Sequence, residues 1–125
     1  MMDRKTVGKQ GEEAACRYLE SRDHRILERN WRSGHLEVDI ISYDGAGLHF
    51  VEVKTRIAPL QAAPEENVRH DKMQRLVRAA RAYLNDAKTL HGGDAEIFFD
   101  VISVIFDAGH TRIEYFPQAF LPIYV

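Results

Sequence analysis

The stretch Leu36–Lys54 reads LEVDIISYDGAGLHFVEVK, two apolar runs either side of Asp44-Gly45-Ala46-Gly47. In the first run Leu36, Val38 and Ile40 alternate with Glu37, Asp39 and Ile41. In the second, His49, Val51 and Val53 alternate with Leu48, Phe50, Glu52 and Lys54. Alternation of period two with β-branched residues marks strands, and a glycine-rich break between them marks a hairpin. A turn centred on Gly45-Ala46 sets opposite one another residues whose numbers sum to 91. In that register Val38 meets Val53 and Ile40 meets Val51, an apolar seam that faces the core. The other face is apolar near the turn, at Ile41, Tyr43, Leu48 and Phe50. Away from the turn Asp39 lies opposite Glu52, and Glu37 opposite Lys54. Opposed side chains have Cβ atoms roughly 5 Å apart, so two carboxylates there repel unless something offsets them. Lys54 is one candidate. A hard divalent cation is the other, because Mg²⁺ is commonly held by one or two carboxylates with water and substrate phosphate. Cross-strand acid–base pairs are also ordinary stabilisers of surface hairpins.

The chain has 125 residues, 45% hydrophobic and 29% charged, which reads as one folded domain over residues 1–125. A net charge of −2 excludes a globally basic protein, so any nucleic-acid contact must come from a local patch. The single cysteine, Cys16, excludes an internal disulfide and points to a reducing cytoplasm; the polar start MMDRKTVGKQGEE carries no signal-peptide pattern. The longest apolar run, Ile97 to Phe106, is interrupted by Asp100 and Ser103 and is too short to span a bilayer, so no membrane partner is expected. The six histidines form no His-x-His or His-x₃-His pair, and no zinc site is expected from them. Neither a phosphate-binding glycine loop nor a Ser-His-Asp signature is present.

Gly8 to Ser21 has helical spacing through Gly11, Ala14, Ala15, Tyr18 and Leu19. Glu13 has Lys9 and Arg17 four residues to either side, which suits a solvated face. Glu12 shares a stripe with Ala15, Cys16 and Leu19, so it borders the buried side and needs a partner; it reads equally as an acid favouring the helix N-terminus. Arg25–Trp31 reads as a first strand, with a turn over residues 32–35; Trp31 is either core or a surface for base stacking. Thr55 to Arg69, with Pro59 and Pro64, has no sustained period and reads as a substrate-gripping flap or a plain connection. From Asp71 to Ala87 an apolar helical stripe is flanked by a second stripe of Lys72, Arg75, Arg78 and Arg81, which could follow a phosphate backbone or simply face solvent. Ala95–Phe106 is apolar on both faces and therefore a central strand, in which Asp100 requires a cation or backbone donor. Thr111–Phe116 reads as a last strand.

Asp39 followed by Glu52-Val53-Lys54 resembles the PD-(D/E)xK nuclease motif. The resemblance implies that Asp39 and Glu52 bind Mg²⁺ or Mn²⁺, that the Val53 carbonyl can add a ligand, and that Lys54 activates the attacking water or stabilises transition-state charge. The order helix, strand, hairpin, helix, strand, strand matches an α/β fold with a restriction-endonuclease-like αβββαβ core, a mixed central sheet flanked by helices. More narrowly, the chain resembles the YraN family over about residues 8–104. The match rests on Gly8-x-x-Gly11-Glu12-x-x-Ala15 with Tyr18-Leu19, Arg29-Asn30-x-Arg32, Glu37-Val38-Asp39, the highly specific block Phe50-Val51-Glu52-Val53-Lys54-Thr55-Arg56, Lys72-Met73 through Tyr83-Leu84, and Phe99-Asp100-Val101.

That family comprises bacterial proteins of unestablished function, regarded as nucleases distantly similar to archaeal Holliday junction resolvases. Those resolvases carry a catalytic Glu on the first helix, a place that Glu12 matches here. Two positions depart from the family pattern: Leu36 stands where Gly is usual, and Phe98 where Arg usually precedes the late Phe-Asp. The resemblance implies a metal-dependent nuclease acting on structured or branched DNA. Its catalytic set would be Asp39, Glu52, Lys54 and Glu12, and its metal set Asp39, Glu52, Val53 and Glu12. Arg32, Arg56, Arg69, Lys72, Arg75 and Arg78 would contact the backbone, with a homodimer serving two strands. The alternatives are a nucleic-acid-binding module without catalysis and a partner-binding scaffold.

Overall fold

The computed structural model describes residues 3–59, 70–86 and 95–119. Its elements run α1 (Arg4–Ser21), β1 (Arg25–Ser33), β2 (Leu36–Tyr43), β3 (Gly47–Ile57), α2 (His70–Asp86), β4 (Glu96–Asp107) and β5 (His110–Phe116). The expected αβββαβ order is present, with β5 added at the end. The strands form one sheet in the order β1-β2-β3-β4-β5, in which β3 and β4 are parallel and the other neighbours antiparallel. This is the mixed α/β arrangement expected of a restriction-endonuclease-like core. No described helix is long and apolar enough to cross a membrane.

The hairpin has the expected register. Ile40 pairs with Val51, Ile41 with Phe50, Ser42 with His49 and Tyr43 with Leu48. Asp44 and Gly47 exchange backbone hydrogen bonds around a two-residue loop. The Asp44 carboxylate reinforces the turn by accepting from the Ala46 and Gly47 amides, a local bond typical of Asp in turns.

The two faces differ from expectation, because both are covered. On one face Ile40, Val51, Ile102 and Val104 pack with Ala15, Cys16 and Leu19 of α1. On the other Ile41, Leu48, Phe50 and Phe99 pack with Leu76, Val77, Ala79, Ala80 and Tyr83 of α2. Trp31 meets Tyr83 edge-on at 5.2 Å and serves the core. Val38 does not join Ile40, as strict alternation requires; it packs with Ile41 on the α2 side. The reason is a kink. Asn30 takes a φ of 52°, and the Asn30–Asp39 position drops out of the β1–β2 ladder, which also carries a register shift between Ile26 and Glu28. Alternation reverses across that point, so residues on either side of Asp39 no longer obey one parity.

Segment ends also move. α1 begins at Arg4, capped by Asp3, whose carboxylate accepts from the Thr6 amide at 2.8 Å. β3 runs on to Ile57 because β4 pairs with it along its whole length, so the start of the expected 55–69 loop is strand. The remainder of that loop, 60–69, lies outside the described residues.

Gly11 is where α1 comes closest to the sheet: a Cβ built there would run into the Thr55 side chain, including its Cβ at 2.9 Å. At Gly8, one turn earlier, nothing lies within 4 Å. Gly11→Ala is therefore expected to destabilise the fold by about 1–3 kcal/mol through overpacking. Gly8→Ala is expected to be neutral or to stabilise by up to about 1 kcal/mol through helix propensity. Urea-unfolding midpoints of the two variants check the contrast.

Candidate active site

The hairpin strands part at the kink. The β2–β3 ladder ends at Ile40–Val51, so the expected Asp39–Glu52 and Glu37–Lys54 rungs do not form. A buried strand amide still needs an acceptor once its neighbour leaves. Asp39 supplies it: its Oδ2 accepts from the Val53 amide at 2.8 Å. The Asp39 carboxylate is thereby held between the diverging strands, in a cleft of about 370 Å³.

Four acids line this cleft: Glu12 from α1, Glu37 and Asp39 from β2, and Glu52 from β3. His35, Val53, Thr55 and Gly8 also line it, while α2 contributes Lys72, Arg75 and Leu76. Of the two α1 glutamates, Glu12 borders the cleft; Glu13 turns away to Arg29 at 2.6 Å and Arg17 at 3.0 Å. Burial, then the charge of Glu52, push the Asp39 carboxyl up from 3.8 to about 7, against the opposing effect of the Val53 hydrogen bond. A carboxylate raised by burial and a like-charged neighbour in a cleft is a recognised mark of a functional group, although ion-pair networks also produce it.

The cation beside Glu52 is not the one expected from the strand. Lys72 of α2 places its Nζ 2.9 Å from Glu52 Oε2. Lys54, half-buried two residues beyond Glu52 on β3, is not among the described residues lining the cleft. Sequence spacing tied Glu52 to Lys54 because they share a strand; the packing of α2 against β2 brings Lys72 to Glu52. The remaining basic residues spread out. Arg75 lines the cleft and pairs with Asp71 at 3.6 Å. Arg78 is exposed on α2 and Arg56 half-buried on β3. Arg32 pairs with Glu37 at 3.2 Å at the rim, so its charge is already engaged. Arg69 lies outside the described residues.

Glu12, Asp39, Glu52 and the Val53 carbonyl offer only oxygen donors, the set that suits Mg²⁺ or Mn²⁺. Among the described residues, however, the cluster whose ligand atoms come within 4.8 Å of one another is a different one: His24, Asp44 and His49. Spacing along the chain did not reveal this cluster, because His24 and His49 lie 25 positions apart in the chain but 4.5 Å apart between ring centroids. His49 Nε2 is 2.9 Å from Asp44 Oδ1, and His49 Nδ1 is 2.6 Å from Asp100 Oδ2. Burial lowers the His49 pKa, but the hydrogen bonds of Asp100 and Asp44 outweigh it and hold the ring above its ordinary value. Burial, then the charge of His49, lower that of His24.

The sequence model of the Uncharacterised protein family UPF0102 matches residues 11–104. A UPF0102 protein of Bacteroides thetaiotaomicron is 44% identical over 122 residues, covering 98% of each chain. Another, from Anaeromyxobacter dehalogenans, is 43% identical and covers 94% of this chain and 85% of its own. Among solved structures, SfsA of Pyrococcus furiosus in complex with Ca²⁺ matches with a TM-score of 0.40 and 16% identity, over 94% of this chain and 64% of that one. The chain thus spans under two thirds of the SfsA chain.

Asp39 gives the metal-free protein a pH signature. Its folded pKa of about 7 exceeds the ordinary 3.8, so the folded state holds the proton over a range where the unfolded chain releases it. The associated stability is fully present below about pH 4 and is lost as pH rises through about 7, by a few kcal/mol at most. Asp39→Asn keeps an amide oxygen for the Val53 N–H and has no proton to lose. In chelator, the stability difference between mutant and parent is expected to grow in the mutant's favour from pH 4 to pH 8. Urea titrations at several pH values measure it.

Proposed function

The chain belongs to the uncharacterised protein family UPF0102, and on that premise we propose that it is a metal-dependent nuclease hydrolysing phosphodiester bonds of structured or branched DNA. The observation that carries the reading is the Asp39 carboxylate, fixed by the Val53 amide in an open cleft and raised by burial and by Glu52. Asp39 and Glu52 would hold Mg²⁺ or Mn²⁺, with the Val53 carbonyl and Glu12 as further donors. Bound there, the cation would polarise a phosphoryl oxygen and lower the pKa of an attacking water.

The chain's own residues would do the rest. Asp39 Oδ2 is occupied by the Val53 amide, which leaves Oδ1 as its ligand atom. Glu52 Oε2 is occupied by Lys72, which leaves Oε1. Lys72 offsets part of the cluster's charge before substrate arrives and lies where it can turn to a phosphate oxygen. Lys54 keeps the role implied by the Glu-x-Lys resemblance, stabilising charge in the transition state. Arg75, Arg78 and Arg56 would hold the phosphate backbone in a protein whose overall charge of −2 gives no general attraction to DNA. A homodimer would set two clefts on two strands. The whole would form one domain working in the cytoplasm.

A second reading has one observation in its favour. With Lys72 already on Glu52, the acids are partly neutralised by the protein itself, as suits a nucleic-acid-binding module without catalysis. Incubation with branched, flapped and linear DNAs in Mg²⁺ or Mn²⁺ separates the two. The nuclease reading expects metal-dependent cleavage. Asp39→Asn, which removes a direct ligand, should reduce it by more than the roughly 10–100-fold that outer-shell changes cost. Mg²⁺ should raise the parent's Tm and leave that of the mutant unmoved, because only a folded site that binds gains from mass action. DNA binding without cleavage under any of these metals would leave the second reading standing and sink the first.

A further inference from the structure

We propose that His24, Asp44 and His49 form a second metal site, independent of the acidic cleft, that takes one divalent transition-metal ion of the zinc type. The three come from separate parts of the chain: His24 follows α1, Asp44 opens the hairpin turn, and His49 lies on β3. Their ligand atoms all fall within 4.8 Å of one another. His49 Nε2 lies 2.9 Å from Asp44 Oδ1, and His24 Nε2 lies 3.5 Å from Asp44 Oδ2. Bonds of about 2.0–2.2 Å to a tetrahedral zinc separate adjacent ligand atoms by about 3.3 Å. The two contacts, each to a different Asp44 oxygen, bracket that separation, and side-chain rotations would draw in the single atoms that now lie within 4.8 Å of one another.

The outer partners fit the same reading. A histidine that binds metal through one nitrogen commonly directs the other at a carboxylate, carbonyl or hydroxyl, which fixes the ring and its tautomer. Both rings do so here. Nδ1 of His49 is 2.6 Å from Asp100 Oδ2, and Nδ1 of His24 is 2.9 Å from Ser42 Oγ. Asp100 has no exposed surface, and it accepts from the Tyr115 hydroxyl at 2.6 Å and the Gln118 amide at 2.9 Å. As an acceptor throughout, it holds the Nδ1 proton of His49, while Nε2, which donates to Asp44 Oδ1 in the metal-free protein, would give up its proton to bind the ion. Phe98 stacks on the His49 ring at 4.8 Å. The two histidines are almost fully buried, while the Asp44 side chain remains 24% exposed. An ion would therefore reach the site from the hairpin turn, with Asp44 at its mouth.

Two imidazoles and one carboxylate suit zinc-type ions, whereas Mg²⁺ and Ca²⁺ prefer oxygen alone. Three protein ligands leave a fourth position for water or a small anion. Bound, the ion would tie the α1–β1 junction and the hairpin tip to the middle of the sheet.

The test is a titration of the full, metal-stripped chain with Zn²⁺, read by calorimetry and thermal melts, with Co²⁺ as a spectroscopic probe. In an excess of Mg²⁺, which occupies the acidic cleft, one equivalent of Zn²⁺ is expected to bind and to raise Tm further. Co²⁺ should give the intense visible bands of a low-coordinate nitrogen–oxygen site. His24→Ala and Asp44→Asn should each weaken Zn²⁺ binding at least tenfold and remove the Co²⁺ bands. The carboxamide introduced by Asp44→Asn retains an oxygen for the turn amides, so that variant keeps its hairpin. Asp39→Asn, in the acidic cleft, should leave Zn²⁺ binding unchanged. An unmoved Tm with no stoichiometric Zn²⁺, or unchanged affinity in either of the first two variants, overturns the site. Should a variant fail to fold, a wild-type Co²⁺ spectrum like that of the aqueous ion overturns it equally.

Discussion

The bond from the Val53 amide to Asp39 Oδ2 is the interaction on which the cleft depends. β3 is paired with β4 from Gly47 to Ile57, but with β2 only as far as Ile40–Val51. Past that rung, an amide on the β2 side of β3 has lost its ladder acceptor, and leaving it unpaired in a half-buried place costs about 1–3 kcal/mol. A side-chain carboxylate satisfies it where a backbone carbonyl would have closed the sheet. The strands can then diverge without an orphaned donor, and the gap between them opens toward α1 and α2. A fully zipped hairpin would place Asp39 and Glu52 on a flat sheet face and leave no cleft. The kink at Asn30, with its φ of 52°, serves the same end from the β1 side.

Charge in the cleft follows from this geometry. Four acids reach it from α1, β2 and β3, and the cations come from α2. The Lys72–Glu52 pair joins a Lys side chain 53% exposed to a Glu side chain 19% exposed. Ion pairs so open to solvent add little to stability, and they exchange partners easily. The pair therefore acts on local potential more than on the fold. Asp39 is the opposite case. It is deeper and held by a backbone donor, and its raised pKa reflects burial and Glu52 that this one hydrogen bond does not outweigh. A single cleft thus holds one rigid acid and one acid with an exchangeable counter-charge.

The other polar centre explains why an Asp can stand inside an apolar central strand. Asp100 is fully buried, yet His49, the Tyr115 hydroxyl and the Gln118 amide all satisfy it. His49 takes the carboxylate, and the Phe98 ring stacks against the imidazole. Tyr115, held by Asp100, in turn meets Tyr18 of α1 edge-on at 5.8 Å. The burial of both partners makes the Asp100–His49 pair sensitive to the loss of either one, since the survivor would be an unpaired polar group in the core.

Local pattern by itself determined the elements and the hairpin. Alternation and a glycine turn depend on neighbours two to four residues away, so the 91-sum register and the order αβββαβ could be read from residues 36–54 and the helical stripes. The same proximity made Asp39, Glu52 and the side of α1 bearing Glu12 legible, because strand parity and helical period say which residues share a face. Only the tertiary structure decided where that parity fails. The Asn30 kink reverses it, sending Val38 to the α2 face and Asp39 toward β3, and no composition rule marks a lone Asn for a left-handed turn in mid-strand. Packing of α2 over β2 likewise set Lys72, rather than Lys54, against Glu52. His24 and His49 met because α1 crosses the sheet and returns the chain beside the hairpin tip. Contacts of that kind join residues far apart in sequence, and their spacing along the chain has no period to read.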